Sequence, residues 1–173
     1  MLKTVQINST NVNNKELQKI YESAFTGGER HPYPAIIRII TESGENCDYT
    51  AYYDGDLLVG LTMVCILKRF TYGAYFAVRE DLRGKGYGQT IFSSVLEKYS
   101  KGNPFIIAVE SPLEENCPNL EIRKRRLAFF IRNGLRDTGV RTNYNGVLFN
   151  FLSNSNEPFS QKDFDEINAT LPE

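Results

Sequence analysis

FAVREDLRGKGYGQTIF, residues 76–92, joins two apolar segments through a charged turn and a loop that has glycine at every second position. The first apolar segment runs from Ala74 to Val78 and is typical of a strand. In the second segment the apolar residues share one face at helical spacing, namely Ile91, Phe92, Val95, Leu96 and Tyr99. The stretch therefore predicts a strand, a glycine loop and a helix, in that order.

The glycine loop has the properties of a phosphate-binding site. Gly84, Gly86 and Gly88 lack a Cβ, so the backbone can turn tightly and its N–H groups can converge. These donors precede a predicted helix, whose positive dipole end also favours an anion. Arg83 and Lys85 add two positive charges beside them. A glycine-rich surface turn without a ligand is the simpler alternative.

The spacing of the glycines limits which phosphate ligand the loop would hold. A dinucleotide-binding fingerprint needs a third glycine at the position of Gln89. A nucleoside-triphosphate loop needs Gly-Lys followed by Ser or Thr, and that run does not occur. The pattern Arg83-x-x-Gly86-x-Gly88 instead resembles the pyrophosphate loop of the GNAT superfamily of N-acetyltransferases, which also follows a strand and precedes a helix.

Composition indicates one globular domain over residues 1–173, with a short C-terminal helix or tail from about residue 155 to residue 173. Apolar residues make up 41% and charged residues 24% of the chain, which is ordinary for a globular protein. The net charge of −1 gives no general attraction to nucleic acid or membrane, and no apolar run is long enough to span a bilayer. The N-terminus also lacks the apolar core of a signal peptide.

Cysteine and histidine usage points to a reduced compartment and away from a metal site. Cys47, Cys65 and Cys117 are odd in number and lack metal-ligand spacing, so we expect a cytoplasmic location. His31 is the only histidine, which excludes a site built from several histidines. We therefore expect no metal. Cys65 lies in the middle of a predicted strand and is expected to pack in the core rather than to react.

Periodicity and turn residues predict strands and helices along the whole chain. Asn14 is expected to cap the first helix, Gly134 to end the fourth and Ser160 to begin the last. Asp54-Gly55 and Asn145-Gly146 are expected to turn two hairpins. The predicted strands cover 3–8, 48–53, 57–67, 71–78, 104–110, 135–144 and 146–152, and the helices cover 15–24, 35–42, 91 to about 101, 120–133 and 161–168.

This order of elements is also that of the GNAT fold, so the resemblance extends over roughly residues 5–151. A second motif supports it, because Phe129-Phe130-x-x-x-Gly134-Leu135 is similar to the end of the family's fourth helix. The resemblance implies an α/β (α+β) fold with a mixed, mostly antiparallel central sheet and helices on both faces. It further implies that the fourth and fifth strands splay apart and admit the pantetheine arm of acetyl-coenzyme A (acetyl-CoA).

The resemblance implies acetyl-CoA as the co-substrate and assigns its binding residues. Backbone groups of residues 76–78 would pair with the pantetheine amides, and one N–H would face the thioester oxygen. A donor aimed at that developing oxyanion is worth about 3 kcal/mol. The N–H groups of residues 84–89 would hold the pyrophosphate. The coenzyme-binding residues expected in this way are Phe76, Ala77, Val78, Arg83, Gly84, Lys85, Gly86, Tyr87, Gly88, Gln89, Thr90, Arg123 and Phe130.

An amine acceptor needs a group that removes its proton, because an alkylammonium is a poor nucleophile. Glu110 is the first candidate, since it ends the predicted fifth strand where the splayed strands would open; its alternative is a solvated carboxylate at a strand end. Glu29 is the second, in a loop that covers the acceptor side in the resembling family. Glu80 and His31 follow, as a turn carboxylate and a loop imidazole.

The family's usual general acid is a tyrosine on the fourth helix, but this sequence has Phe130 at that position. A phenyl ring has no proton to give to the leaving thiolate, so the role does not carry over. Tyr144 or Tyr87 could substitute, or the thiolate could leave without help because its pKa is well below that of an alkoxide. We expect direct transfer to the amine, without an acyl-enzyme.

The basic run at residues 123–126 is not expected to bind nucleic acid, because its charges point in different directions and the chain is near neutral. Arg123 falls where the resembling family commonly has an asparagine close to the coenzyme. A contact from Arg123 or Arg126 to a coenzyme phosphate is therefore a hypothesis.

The sequence thus favours an acetyl-CoA-dependent N-acetyltransferase that acts on a primary amine of a small molecule or peptide, without a nucleic-acid or membrane partner. A non-catalytic acyl-CoA-binding sensor or partner module of the same fold is the alternative, motivated by Phe130. An unrelated phosphate-binding α/β module is a third. The acceptor pocket is expected from the loop 27–34, the start of the second helix and the Tyr144-Asn145 hairpin. Homodimers are frequent in the family, although no interface is identified.

Overall fold

The structure is a computed structural model that describes residues 1–25, 31–42 and 46–171. Over these residues the chain forms seven strands and five α-helices in the order expected from the sequence. The strands are β1 (Lys3–Ile7), β2 (Cys47–Asp54), β3 (Leu57–Ile66), β4 (Thr71–Val78), β5 (Phe105–Glu110), β6 (Arg136–Tyr144) and β7 (Val147–Ser153). The helices are α1 (Lys15–Ala24), α2 (Tyr33–Glu42), α3 (Tyr87–Tyr99), α4 (Leu120–Arg132) and α5 (Gln161–Thr170), and a 3₁₀ turn covers Glu80–Leu82.

The seven strands of the described ranges form one sheet with the order β1-β2-β3-β4-β5-β7-β6. Every neighbouring pair is antiparallel except β4 and β5, which are parallel. A parallel step needs a crossover connection, and α3 supplies it between these two strands. The expected mixed and mostly antiparallel α/β fold is thereby confirmed.

β4 and β5 pair over only three residues and then separate. The pairing covers residues 71–73 of β4 and 105–107 of β5. Beyond it β4 stays with β3 and β5 stays with β7, so the two strands splay as expected. Residues 63 and 64 of β3 pair with Tyr75 and Gly73, which leaves Ala74 as an extra residue in β4. Such a bulge bends its strand and increases the local twist, which accounts for the divergence.

Two hydrophobic cores cover the two faces of the sheet. α1, α2 and α5 pack on one face, where Leu17, Ile36 and Ile167 are buried. α3 and α4 pack on the other face, where Phe92 and Phe130 are buried. The predicted placement of helices on both faces is therefore confirmed. Of the helices in the described ranges, none is long and apolar enough to cross a membrane.

Several predicted boundaries carry the contacts that the sequence led us to expect. Asn14 Oδ1 accepts hydrogen bonds from the N–H groups of Glu16 and Leu17 at the start of α1. Ser160 and Asp163 form a reciprocal capping box at the start of α5. The chain leaves α4 through Gly134, whose φ of 90° lies in the left-handed region.

Two helices begin earlier than predicted. α2 begins at Tyr33 rather than at residue 35, because a first helical turn tolerates Pro34, whose missing N–H would have no intrahelical partner. α3 begins at Tyr87 rather than after the loop, since Gly86 adopts a φ of 88° and forms the N-cap. The last residues of the glycine loop therefore form the first turn of α3.

The C-terminal helix is tied to the turn between β3 and β4. Arg69 Nη1 lies 3.0 Å from Asp163 Oδ2, and the Lys68 N–H donates to Glu166 Oε1 at 3.0 Å. Asp163 is buried and also accepts from the Ser160 N–H at 2.8 Å. These contacts fix α5 against the face of the sheet that α1 and α2 cover.

Gly60 on β3 allows β4 and α3 to approach closely. A Cβ here would lie 2.6 Å from the Ala77 carbonyl oxygen and 2.8 Å from Ile91 Cδ1. We expect Gly60→Ala to lower the free energy of unfolding by about 1–3 kcal/mol, because the backbone of β4 has to shift. Gly102→Ala is the control, since its Cβ would meet nothing within 4 Å. Urea unfolding measures both variants, and equal midpoints would contradict the constraint.

Candidate functional site

A cleft of about 790 Å³ opens where β4 and β5 diverge. Phe76 and Val78 line it from β4, and residues 107–110 line it from β5. The glycine loop and α4 contribute on the face that α3 covers, while α1 and α5 contribute on the opposite face. The cleft therefore passes through the gap in the sheet and has a side on each face.

The glycine loop lies at one end of the cleft, lined by Gly84, Gly86, Gly88 and Gln89. Gly84 and Gly86 have φ values of 77° and 88°, which L side chains rarely adopt. No side chain caps α3, so the N–H groups of its first turn are free of a capping bond. The first intrahelical bond runs from the Thr90 N–H to the Gly86 carbonyl at 3.1 Å. The N-terminus of α3 can thus donate several N–H groups to an anion.

Other residues that were expected to bind the coenzyme lie within α3 or outside the lining of the cleft. Gly88 lies in the helix, and a Cβ there would meet Val78 and Phe129 at ordinary contact distances of 3.6–3.7 Å. The Tyr87 hydroxyl donates to Asp54 Oδ2 at 2.7 Å, a hydrogen bond that raises the pKa of this tyrosine. Tyr87, Lys85, Thr90 and Ala77 are not among the lining side chains of the cleft.

Three phenyl rings, those of Phe76, Phe129 and Phe130, line the loop side of the cleft, and Phe92 packs against all three. Phe76 stacks on Phe129 with ring centroids 5.8 Å apart and an interplanar angle of 17°. Phe92 and Phe130 pack edge to face at 5.1 Å, and Phe130 also meets Phe76 at 6.0 Å. Phe130 is buried and lines the cleft, so this position supplies apolar contact and no proton.

Arg123 is buried in an ion cluster rather than exposed to the cleft. Its Nε lies 3.1 Å from Glu110 Oε2, and its Nη1 donates to Glu114 and, at 3.0 Å, to the Ser111 carbonyl. Burial tends to lower the pKa of Arg123, but the Glu114 hydrogen bond and the charge of Glu110 outweigh it, and the pKa is raised. The cations of α4 that line the cleft are Arg125, Arg126 and Arg132.

Glu110 lies at the end of β5 and lines the cleft, as the sequence suggested. Its carboxylate is 7% exposed, so it is not a solvated strand-end group. Oε2 accepts from Asn119 Nδ2 at 3.1 Å and lies 3.6 Å from Arg126 Nη1. The carboxylate is therefore held in one orientation by α4 and the residue before it.

The opposite side of the cleft contains the other predicted proton-transfer groups. Tyr144 lines it from the end of β6. His31 lines it as well, with Nδ1 2.7 Å from the Tyr75 hydroxyl, and burial raises the pKa of Tyr75. Glu29 belongs to residues 26–30, which lie outside the described residues.

Two further candidates lie away from the cleft. Glu80 is exposed in the 3₁₀ turn. Cys65 is fully buried opposite Cys47 in the β2–β3 pair, which agrees with a packing role. The sequence did not predict that Tyr72, Tyr75 and side chains of α5 line the cleft. The aromatic residues of segment 70–76 were a visible signal, but the face they occupy depends on the bulge.

Comparison with known proteins adds a family match. A family model described as the acetyltransferase (GNAT) family matches residues 14–114. No curated protein sequence matches the chain significantly. One similar solved structure is that of a protein from Bacteroides thetaiotaomicron described as an acetyltransferase of the GNAT family. It superposes with a TM-score of 0.74 at 22% sequence identity, and the match covers 98% of this chain and 95% of that chain.

Two other solved structures are similar at lower identity. The ribosomal-protein-S18-alanine N-acetyltransferase of Escherichia coli has a TM-score of 0.68 at 11% identity, covering 93% of this chain and 97% of its own. Arabidopsis thaliana NAA60, solved in complex with acetyl-CoA, has a TM-score of 0.62 at 14% identity, covering 88% and 97%. At such identities the structural likeness establishes the fold alone.

Because the ion cluster is buried, removing its arginine should lower the free energy of unfolding more than removing an exposed charge. Arg123→Met leaves Glu110 and Glu114 without their main counter-charge, so we expect the free energy of unfolding to fall by about 3–5 kcal/mol. Lys124→Met is the control on the same helix, because its pair with Glu121 is exposed and is worth about 0–1 kcal/mol. Chemical denaturation at pH 7 compares them, and equal losses would contradict the structural role of Arg123.

Proposed function

Because the chain belongs to the GNAT family of acetyltransferases, we propose that it is an acetyl-CoA-dependent N-acetyltransferase. In this proposal a primary amine of a small molecule or peptide attacks the thioester directly, without an acyl-enzyme. The observation that carries the proposal is the continuous cleft that joins the gap between β4 and β5 to the glycine loop.

The coenzyme is proposed to lie along that gap. Residues 74–78 of β4 do not pair with β5, so those of their backbone groups that face the gap could pair with the pantetheine amides. The Val78 carbonyl already accepts from Arg83 Nε at 3.2 Å. The N–H groups at the start of α3 would hold the pyrophosphate, with Arg83 beside them. The coenzyme's phosphate outside the pyrophosphate would be met by the positive charges of α4, from Arg125, Arg126 and Arg132. Phe130 and its neighbouring rings would contact the apolar part of the arm.

The reaction requires one proton to leave the amine and one to reach the sulfur. The amine nitrogen forms a bond to the thioester carbon, and the carbon–sulfur bond breaks to release coenzyme A. A backbone N–H of residues 76–78 would stabilise the oxyanion that forms on the carbonyl oxygen. Glu110 is proposed to accept the amine proton, with Glu29 as the second candidate, and Tyr144 to protonate the thiolate.

A second candidate function is a coenzyme-binding sensor or partner module without turnover. Phe130 favours it, because the ring occupies the place of the family's acid and has no proton to give. We also propose a cytoplasmic location for the enzyme, which the odd number of cysteines motivates. The proposed enzyme is compatible with a homodimer. It requires no metal, nucleic acid or membrane.

The first experiment tests the coenzyme site through its loop. Gly86→Ala places a Cβ on a residue in the left-handed region, which strains the loop whose N–H groups would face the pyrophosphate. We therefore expect acetyl-CoA affinity to fall at least about tenfold. Gly139→Ala is the matched control, with a φ of 80° and open space around the added Cβ. Isothermal titration measures both. Equal affinities in the two variants, or no binding by the native protein at millimolar acetyl-CoA, would remove the proposed site.

The second experiment separates the enzyme from the sensor. Thiol release from acetyl-CoA is measured with a panel of primary amines. We expect turnover, and we expect Glu110→Gln to lower kcat by about 10²–10⁴ while acetyl-CoA affinity is retained. Tyr144→Phe should also lower kcat, because the phenol proton that would reach the thiolate is lost.

Glu97→Gln is the control for the loss of one carboxylate, because Glu97 is exposed on α3 and lies outside the cleft. Unfolding midpoints recorded for every variant separate misfolding from a loss of chemistry. Coenzyme binding without thiol release from any amine would favour the sensor. Full activity of Glu110→Gln would exclude Glu110 as the base.

A further inference from the structure

The two sides of the cleft differ in charge. Its positively charged lining residues come from the glycine loop and α4, on the α3 side: Arg83, Arg125, Arg126 and Arg132. Among the described residues that line the cleft from α1, β6, β7 and α5, none is Asp, Glu, Lys or Arg, and His31 is the one titratable group beside the tyrosines there. Glu110, which lines the cleft at the end of β5, is paired with Arg123 and Arg126 of α4. If the coenzyme occupies the charged side, the acceptor occupies the uncharged one.

Three tyrosines gather on the uncharged side because of the bulge in β4. Tyr72 and Tyr75 are three residues apart, which would place them on opposite faces of a regular strand. The extra residue Ala74 brings both to the same face, where they pack with the α1 core. Tyr144 lies close enough to interact electrostatically with both. Burial raises the pKa values of Tyr72 and Tyr75, so both phenols are neutral at pH 7.

A wall of apolar side chains continues the site beyond the tyrosines. Phe164, Ile167 and Leu171 line the cleft from the C-terminal segment, and Phe151 lines it from β7. Phe151 also packs against Phe164, with ring centroids 5.9 Å apart. The contacts of Arg69 and Lys68 with α5 hold this wall in place. The acceptor side is therefore an anchored surface and mostly apolar.

We propose that the acceptor is a small primary monoamine carried on an aromatic or other apolar body. The faces and hydroxyl groups of neutral tyrosines can receive one ammonium group, and the wall from α5 and β7 buries its apolar part. This inference rests on the proposed acetyl transfer.

The same surface disfavours two other classes of acceptor. A second ammonium group, placed among the side chains that line the cleft from β6, β7 and α5, would be buried without a counter-charge from those residues, which is costly. A peptide would bring backbone amides that need partners, whereas Phe164, Ile167 and Leu171 offer none from their side chains. Polyamines and peptide N-termini should therefore be poor substrates.

A matched set of amines tests the inference with the native protein. n-Hexylamine and 1,6-diaminohexane share a carbon chain and differ by one amine, and 2-phenylethylamine and a tri-alanine peptide complete the set. We expect kcat/KM in the thiol-release assay to be at least tenfold higher for hexylamine and for phenylethylamine than for the diamine or the peptide.

One substitution should change the ranking itself. Asn168 is exposed at the rim of this side, so Asn168→Asp adds a carboxylate without disturbing the core. We expect this variant to reduce the preference for hexylamine over the diamine by at least threefold. Asn156→Asp is the control, because Asn156 is exposed and lies outside the cleft. An equal effect of both substitutions would mean that general charge, and not this site, sets the preference, and would overturn the inference.

Phe164→Ala should raise the KM for 2-phenylethylamine at least fivefold and leave acetyl-CoA affinity unchanged, with Leu113→Ala at an exposed position as its control. Turnover that favours the diamine or the peptide would overturn the acceptor class and leave the N-acetyltransferase function standing. Coenzyme binding without turnover of any amine would instead overturn the enzymatic function, and the acceptor class with it.

Discussion

The separation of β4 from β5 is the constraint on which the rest of the structure depends. After three paired residues each strand keeps one neighbour, so both lose a row of hydrogen-bonding partners along the gap. Backbone groups in a protein interior need partners, and a linear ligand with its own amides can supply them. The bulge at Ala74 accompanies this opening and places Tyr75 on the face of the sheet that α1 and α5 cover. One extra residue thus shapes both ends of the cleft.

The ion cluster around Arg123 holds together the wall of the cleft that the end of β5 and α4 form. Glu110 ends β5 and Arg123 belongs to α4, so their contact ties the strand end to the helix whose arginines line the proposed coenzyme side. A buried pair of this kind adds little net stability over an apolar pair, but it fixes orientation because a displaced charge would be left uncompensated. The contact therefore fixes the orientation of Glu110, the proposed base, and also gives this carboxylate a structural role.

Features with local causes were predictable from the sequence, and those with tertiary causes were not. The Asn14 cap, the bounds of β4 and the turn at Asn145-Gly146 each depend on a few adjacent residues. The bulge in β4 has no signature within its own strand, because it is defined against β3. The ion pair of Arg123 with Glu110 joins residues from different elements. The family resemblance suggested that Arg123 lies near the coenzyme, whereas its buried side chain is paired with carboxylates.

The family match and the proposed acceptor side come largely from different parts of this chain. The matched segment 14–114 contains β4, the glycine loop, α3 and β5, which are the elements that form the gap and the proposed coenzyme side. Tyr144, Phe151 and the α5 wall come after it, and together they make up much of the uncharged side. The anchoring of α5 through Arg69 links this later part to the turn that leads into β4. A change in the C-terminal helix could thus alter the acceptor side while leaving the gap and the loop intact.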